Sequence, residues 1–146
     1  MEASPLEEII NRSLGKIDNL GSTETGVTEQ ELGRVERLLG FQIPDGYKDF
    51  LRRYGSGEVY GDELYSIYGE SAQDVPSGDL IYQYRWHSSR NELSKSCLPF
   101  LSTSQGEVFY FDCLAGNRET VFVKMGDTVK EYADNFCDFL DKYTGS

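Results

Sequence analysis

Residues 41–57 read FQIPDGYKDFLRRYGSG, and the fold is decided by how this stretch is read. Pro44 suits a first helical turn, because its fixed φ fits there and its missing N–H is no loss. Tyr47, Phe50, Leu51 and Tyr54 follow at i, i+3, i+4 and i+7, which is one face of an α-helix. Gly55 then supplies a stop, since a left-handed cap costs least without a Cβ. Phe41 and Ile43 precede the proline and can pack beneath the helix as it begins. The stretch therefore holds a start, a buried face and a stop, and no side chain in it points to catalysis.

Working outward, Ser4-Pro5-x-Glu7 predicts a first helix with a capping box and an apolar stripe of Leu6, Ile9, Ile10 and Leu14, which Ile17 could extend. Gly15 weakens its middle, and residues 21–26 form a polar loop. Thr28-x-x-Glu31 starts a second helix with both halves of a capping box. Val27 and Leu32 stand at the spacing of a hydrophobic staple. Leu32, Val35, Leu38 and Leu39 face inward, and Gly40 ends the helix. Beyond residue 57, residues 58–68 are rich in aromatic and β-branched types. They predict one or two strands with a turn or bulge at Gly61 and Asp62. Breakers make 69–78 a loop.

Residues 79–92 fit two patterns. Tyr82, Tyr84 and Trp86 alternate as in a strand, whereas Leu80, Ile81 and Tyr84, with His87 or Ser88, line a helix that Ser77 could cap. Three short apolar runs, 98–104, 107–112 and 119–125, predict an antiparallel meander. Thr128-x-x-Glu131 then reads as the cap of a last helix, with Val129, Tyr132, Phe136, Phe139, Leu140 and Tyr143 at helical spacing. Helices, then strands, then a helix predict an α+β fold: N-terminal helices, a central antiparallel-rich sheet with a C-terminal meander, and a closing C-terminal helix.

Composition narrows the function classes. A chain of 146 residues with 38% hydrophobic and 13% aromatic residues can build one packed domain, 1–146. No apolar run approaches the ~20 residues of a membrane span. Glu2, Glu7 and Glu8 stand where a signal peptide needs cations, so a cytoplasmic location is expected. Cys97, Cys113 and Cys137 lack CxxC spacing and read as reduced thiols, neither a disulfide framework nor a zinc site. A single histidine, His87, supports no metal site or nucleophile–histidine pair. No cofactor is expected. With 25 acidic against 14 basic residues the net charge is −11. Such a field repels nucleic acid and anionic membrane and favours a cationic protein partner.

Several short motifs stand in a fixed order: Thr28-Glu29-x-Glu31-Leu32, Glu36, Leu39-Gly40-Phe41-x-Ile43-Pro44, Tyr47, Phe50-Leu51 and Tyr54-Gly55-x-Gly57. They continue with Tyr110-x-Asp112 at a strand end and Ala133-x-x-Phe136-x-x-Phe139-Leu140 in the last helix. In this order the sequence resembles the SUKH superfamily of bacterial toxin-immunity proteins and a yeast regulator of cell-wall assembly, over about 28–142. The resemblance implies a mixed α+β domain, a helix at 79–88, and a non-catalytic protein that binds and blocks a toxin. The alternative it leaves is a regulatory adaptor or scaffold domain with an endogenous partner. The motif residues are architectural, so the binding surface must be sought elsewhere.

From Tyr54 through Tyr84 there is no lysine or arginine, while Glu58, Asp62, Glu63, Glu70, Asp74 and Asp79 supply six carboxylates. Tyr60, Tyr65 and Tyr68 are interleaved, and tyrosine is a frequent interface anchor. Glu58, Tyr60, Asp62, Glu63, Glu70, Asp74, Asp79 and Trp86 are accordingly the candidate toxin-binding residues, meeting a basic, nuclease-type toxin domain. The competing readings are a solvated loop face, a cation site without recognised ligand spacing, and a glycosidase-like acid pair. Arg85, Trp86, His87, Arg90 and Lys95 form a second candidate contact region, or a plain helix exterior. Asp112 is expected to accept backbone bonds at the turn after its strand. The free protein is expected to be a monomer or weak homodimer.

Overall fold

The computed structural model describes residues 4–21, 26–68 and 78–145. Glu70, Asp74, Ser77 and most of the 21–26 and 69–78 loops lie outside them. The elements in order are α1 (Pro5–Arg12), β1 (Ile17–Asp18), α2 (Glu29–Leu39), α3 (Asp45–Arg53), β2 (Gly57–Val59) and β3 (Asp62–Leu64). They continue with α4 (Leu80–Ser89), β4 (Cys97–Ser102), β5 (Glu107–Asp112), β6 (Val121–Met125), β7 (Thr128–Ala133) and α5 (Phe136–Thr144). Two antiparallel sheets, β1-β2-β3 and β4-β5-β6-β7, make the fold α+β, with the expected helix closing the chain. The sheets meet where Tyr65 N donates to Phe100 O at 2.9 Å, beside a register shift between Pro99 and Leu101.

The opening stretch forms α3, with Tyr47, Phe50 and Leu51 fully buried and Tyr54 half-buried. Pro44 occupies the N-cap, one residue before its expected place, and has no side chain able to accept the helix's free N–H groups. Glu119, on the loop between β5 and β6, does so instead. Its Oε2 accepts from Asp45 N at 2.8 Å and its Oε1 from Gly46 N at 3.2 Å. Glu36 Oε2 fixes the approach by accepting from Ile43 N at 2.8 Å and Lys48 Nζ at 2.9 Å. Gly55, at φ +76°, ends the helix as expected, its N–H reaching Phe50 O at 3.3 Å.

Inside, Tyr47 meets Phe136 edge-on at 5.0 Å and Phe100 at 5.4 Å, while Phe100 stacks on Phe111 at 4.8 Å. One ring of α3 thus contacts α5, β4 and β5. The Tyr47 hydroxyl donates to Tyr65 O, so this deep polar atom is satisfied. Its buried phenol titrates well above the ordinary range, chiefly through loss of hydration. All three cysteines are free thiols, and burial foremost, then Asp112, raises Cys113.

Four expectations need correction. α1 is capped by Ser4, whose Oγ accepts from Glu7 N at 3.2 Å, but Glu7 turns its carboxylate to Arg53 instead of closing the box. The helix ends at Arg12, so Leu14 is exposed and Ile17 is buried from a strand. In α2 the capping box forms with both halves, yet Leu38 faces solvent. The cap of α4 is Asp79, whose Oδ2 accepts from Tyr82 N at 2.9 Å, where Ser77 was expected.

The largest departure concerns residues 128–133, which extend the meander as β7, paired from Met125↔Thr128 to Val121↔Ala133. Gly126, at φ +60°, and Asp127 make a two-residue hairpin connection. The closing helix starts only at Phe136, capped by Asn135, whose Oδ1 accepts from Asp138 N at 2.8 Å. Ala133 therefore belongs to the strand, and the Thr128-x-x-Glu131 spacing is a coincidence of strand residues.

Phe50→Ala should lower the unfolding free energy by about 3–5 kcal/mol, the cost of an aromatic truncated in a closed core. Glu119→Ala should cost about 0.5–2 kcal/mol, as loss of an N-cap does. Urea denaturation of both variants checks this, and an unchanged midpoint for Glu119→Ala would remove its capping role.

Candidate functional site

The β2–β3 hairpin carries the base-free window, and its pleat sorts the carboxylates onto two sides. On one side Glu58 pairs across the strands with Asp18 of β1 and with Glu63 of β3. Ile17, Val59 and Leu64 on the other side are buried. Neighbouring strands lie about 4.8 Å apart, so the row Asp18–Glu58–Glu63 spans roughly 10 Å of outward surface. Asn19 Nδ2 donates to Glu58 Oε1 at 3.0 Å, and Tyr68 Oη donates to Glu63 Oε1 at 2.8 Å. Among the described residues no lysine, arginine or histidine forms a salt bridge with any of the three.

The Glu63 carboxylate lies against Gly78, where any Cβ would collide with it, and so adjoins the start of α4. Burial foremost, then the bond to Glu63 and the charges of Glu63 and Asp79, push the Tyr68 phenol up to about 12. Asp79 is occupied structurally: besides capping α4 it accepts from Tyr68 N at 3.3 Å.

Asp62 and Tyr60 face elsewhere. Asp62 Oδ2 accepts from Ser104 N at 3.3 Å. Tyr60 sits in the hairpin turn with Gly61, both at positive φ (51° and 83°), and is 53% exposed. Its ring meets Tyr143 edge-on at 5.6 Å, and its hydroxyl donates to Thr144 O at 3.4 Å. Tyr143 lies 6.5 Å from Tyr132, over whose ring Lys142 Nζ stands at 4.3 Å. Burial foremost, then Glu107 and Asp62, push the Tyr143 phenol up to about 12. This second side is a tyrosine edge rimmed by two acids. Tyr65, by contrast, is a core residue with its hydroxyl on Ser102 Oγ at 2.7 Å.

Trp86 stands apart from both sides. It is 44% exposed, stacks on Tyr82 at 6.4 Å and carries the Arg90 guanidinium 4.6 Å above its ring. His87 does not join this exterior but turns inward, 6% exposed. Asp112 takes its expected part, accepting from Leu114 N at 3.4 Å. Glu70 and Asp74 lie outside the described residues. Among the described residues no group of three metal-ligating side chains converges.

The structure thus unites Glu58 with Glu63 and Tyr60 with Asp62, separates the pairs, and adds residues the sequence reading missed. Asp18 enters through a two-residue strand that leaves no periodic signal. Tyr132, Tyr143 and Glu107 enter only through tertiary packing. What the surface offers chemically is hydrogen-bond acceptance and negative charge beside exposed tyrosine.

Like charges directly opposite on neighbouring strands are destabilising by about 0.2–1 kcal/mol. Glu58→Gln, which keeps the acceptor for Asn19, should therefore raise the stability of the free protein by that amount at low salt. The gain should shrink in high salt. A second expectation concerns pH. Tyr68 has a folded pKa near 12 against an ordinary 10.0. The stability linked to its neutral form is thus whole below pH 10 and lost as pH rises toward 12. Over that interval urea titrations should show Tyr68→Phe losing less stability than the parent.

No curated protein matches the chain. A family profile, that of the SMI1 / KNR4 family (SUKH-1), matches residues 26–142. The match covers α2 through nearly all of α5 and includes the β2–β3 hairpin, while Asp18 and Tyr143 lie outside it. Membership is consistent with an immunity protein or a related regulator domain, and on this match the chain belongs to the SMI1 / KNR4 family (SUKH-1).

Proposed function

We propose that this protein is a non-catalytic, cytoplasmic immunity protein, a single domain that binds one cognate toxin domain and blocks it. The observation that carries the reading is the Asp18–Glu58–Glu63 row, aligned across three strands with no salt-bridge partner among the described residues. Folding gains nothing from that alignment, since opposed like charges repel. A cationic partner surface reverses the sign of the interaction. With a screening length of about 8 Å at physiological salt, the row acts mainly at contact and during close approach. The chain's net charge of −11 adds a longer-range bias toward the same kind of partner.

A basic nuclease-type toxin fits this chemistry, because a surface built to hold phosphates is lined with lysine and arginine. Tyr60 and the tyrosine edge supply anchors with little rotamer entropy to lose. Trp86 with Arg90 offers a further contact region on α4. The same acidity disfavours direct contact with nucleic acid or an anionic membrane. No helix among the described residues is long and apolar enough to cross a membrane. No cofactor takes part in the proposed activity, and the free protein is a monomer or weak homodimer.

The test pairs the protein with the polypeptide encoded next to its gene. The reversal Glu58→Lys, Asp62→Lys, Glu63→Lys should weaken the complex by more than about 2 kcal/mol. All three side chains are half-buried and accept hydrogen bonds within the fold, so the thermal midpoint is measured alongside and the loss of affinity should exceed any loss of stability. Unchanged affinity would move the interface to the Trp86 region. A neighbour that neither binds nor is neutralised would transfer the chain to the regulatory-adaptor reading.

A further inference from the structure

The chain's only histidine serves none of the surfaces above. His87 is 6% exposed and lines a cleft of about 420 Å³ between the C-terminal end of α4 and the turns at Gly106 and Gly126. That volume falls within the range of small-molecule sites. Its Nδ1 lies 2.8 Å from Glu92 Oε2, and Arg90 Nε binds the other Glu92 oxygen at 3.0 Å. Arg90 foremost, with His87 assisting against a smaller effect of burial, holds the Glu92 carboxyl below its ordinary range. With Nδ1 held by the Glu92 carboxylate, Nε2 is the ring nitrogen left for a ligand. Nε2 has no hydrogen-bond partner among the described residues.

Lys124 lines the same cleft and donates from Nζ to the Glu92 carbonyl. A carbonyl does not neutralise it, and among the described residues no carboxylate pairs with it. Glu92 therefore draws an imidazole to its side chain and an ammonium to its main chain. Leu93 and Val108 supply apolar wall, and exposed Asp127 stands among the lining residues.

We propose that this cleft binds a small hydroxymonocarboxylate. The carboxylate pairs with Lys124, and a hydroxyl hydrogen-bonds with His87 Nε2. Asp127 disfavours a second anionic group on the ligand. The site shares no residue with the acidic row or the tyrosine edge, so it stands or falls independently of the immunity reading.

A single histidine gives one imidazole signal per protein, so nitrogen-detected NMR of the full chain reads the site directly. Glycolate and D-gluconate are the probes, with propionate lacking the hydroxyl and glycolamide lacking the charge. A saturable shift of the Nε2 resonance is expected with at least one hydroxy acid. Propionate and glycolamide should bind at least about tenfold more weakly, as loss of a charged or buried hydrogen bond implies. Lys124→Met should weaken binding by a similar factor. Val108→Trp, which fills the cleft without touching a charge, should abolish it and decides the matter if Lys124→Met fails to fold. No shift with either acid, equal binding of propionate, or binding unchanged in the folded variants would overturn the site.

Discussion

Helix α3 begins at a proline that cannot cap it, and the missing acceptor comes from Glu119, whose carboxylate closes the Asp45 and Gly46 N–H groups. The acceptor is 73 residues away from Gly46, on a loop that exists only once β5 and β6 have paired. A second carboxylate, Glu36, takes the Ile43 N–H and Lys48 on the other side of the proline. Between them they set the axis of α3, and with it the position of Tyr47 at the centre of the aromatic core. Closing so long a separation costs loop entropy that local helices and hairpins do not face. The proline thus makes the start of this helix conditional on the meander.

That axis also places the candidate surface. α3 ends at Gly55, whose carbonyl accepts from Ser66 Oγ, and passes straight into β2. At Gly57 a Cβ would stand 2.9 Å from Leu20 Cδ2, so glycine lets the Leu20 side chain lie against β2 without shifting. β1 pairs with β2 just before this contact, and the pairing aligns Asp18 with Glu58. With Val59 and Leu64 buried, the pleat requires Glu58 and Glu63 to point away from the core. The acidic row is therefore a geometric consequence of how the core helix is terminated.

Much of the chain was legible because its signals are local. The Thr28/Glu31 box, the glycine stops and the apolar spacing of α2 and α3 each involve residues within a turn or two. What escaped notice was decided at a distance or by a tie between patterns. Thr128-x-x-Glu131 satisfies a cap template while Val129 and Tyr132 suit a strand, and the Gly126-Asp127 turn settles the matter for β7. β1 is too short to show a period. The candidate surface was legible as composition only: the absence of bases between Tyr54 and Tyr84 was visible, but the register that sends Asp62 to one side and Glu58 and Glu63 to the other was not. Asp79 was counted among the free carboxylates because its capping of α4 depends on where that helix begins.

The two sides of the hairpin share one element, the turn at Tyr60 and Gly61. Tyr60 holds a positive φ without being glycine, asparagine or aspartate, a conformation that costs about 1–2 kcal/mol for such a residue. Three contacts offset it: its N–H on Lys16 O at 2.8 Å, its hydroxyl on Thr144 O, and its ring on Tyr143. Those contacts fasten the turn to both ends of the described chain, so the carboxylates are displayed on a braced loop. A partner that engages both the acidic row and the tyrosine edge has to straddle this turn. Preorganisation of that kind lowers the ordering cost of association. It also explains how a surface whose own charges repel can remain in one conformation: the energy that holds it comes from the core side of the hairpin, where Val59 and Leu64 are buried, and from the turn, not from the row itself.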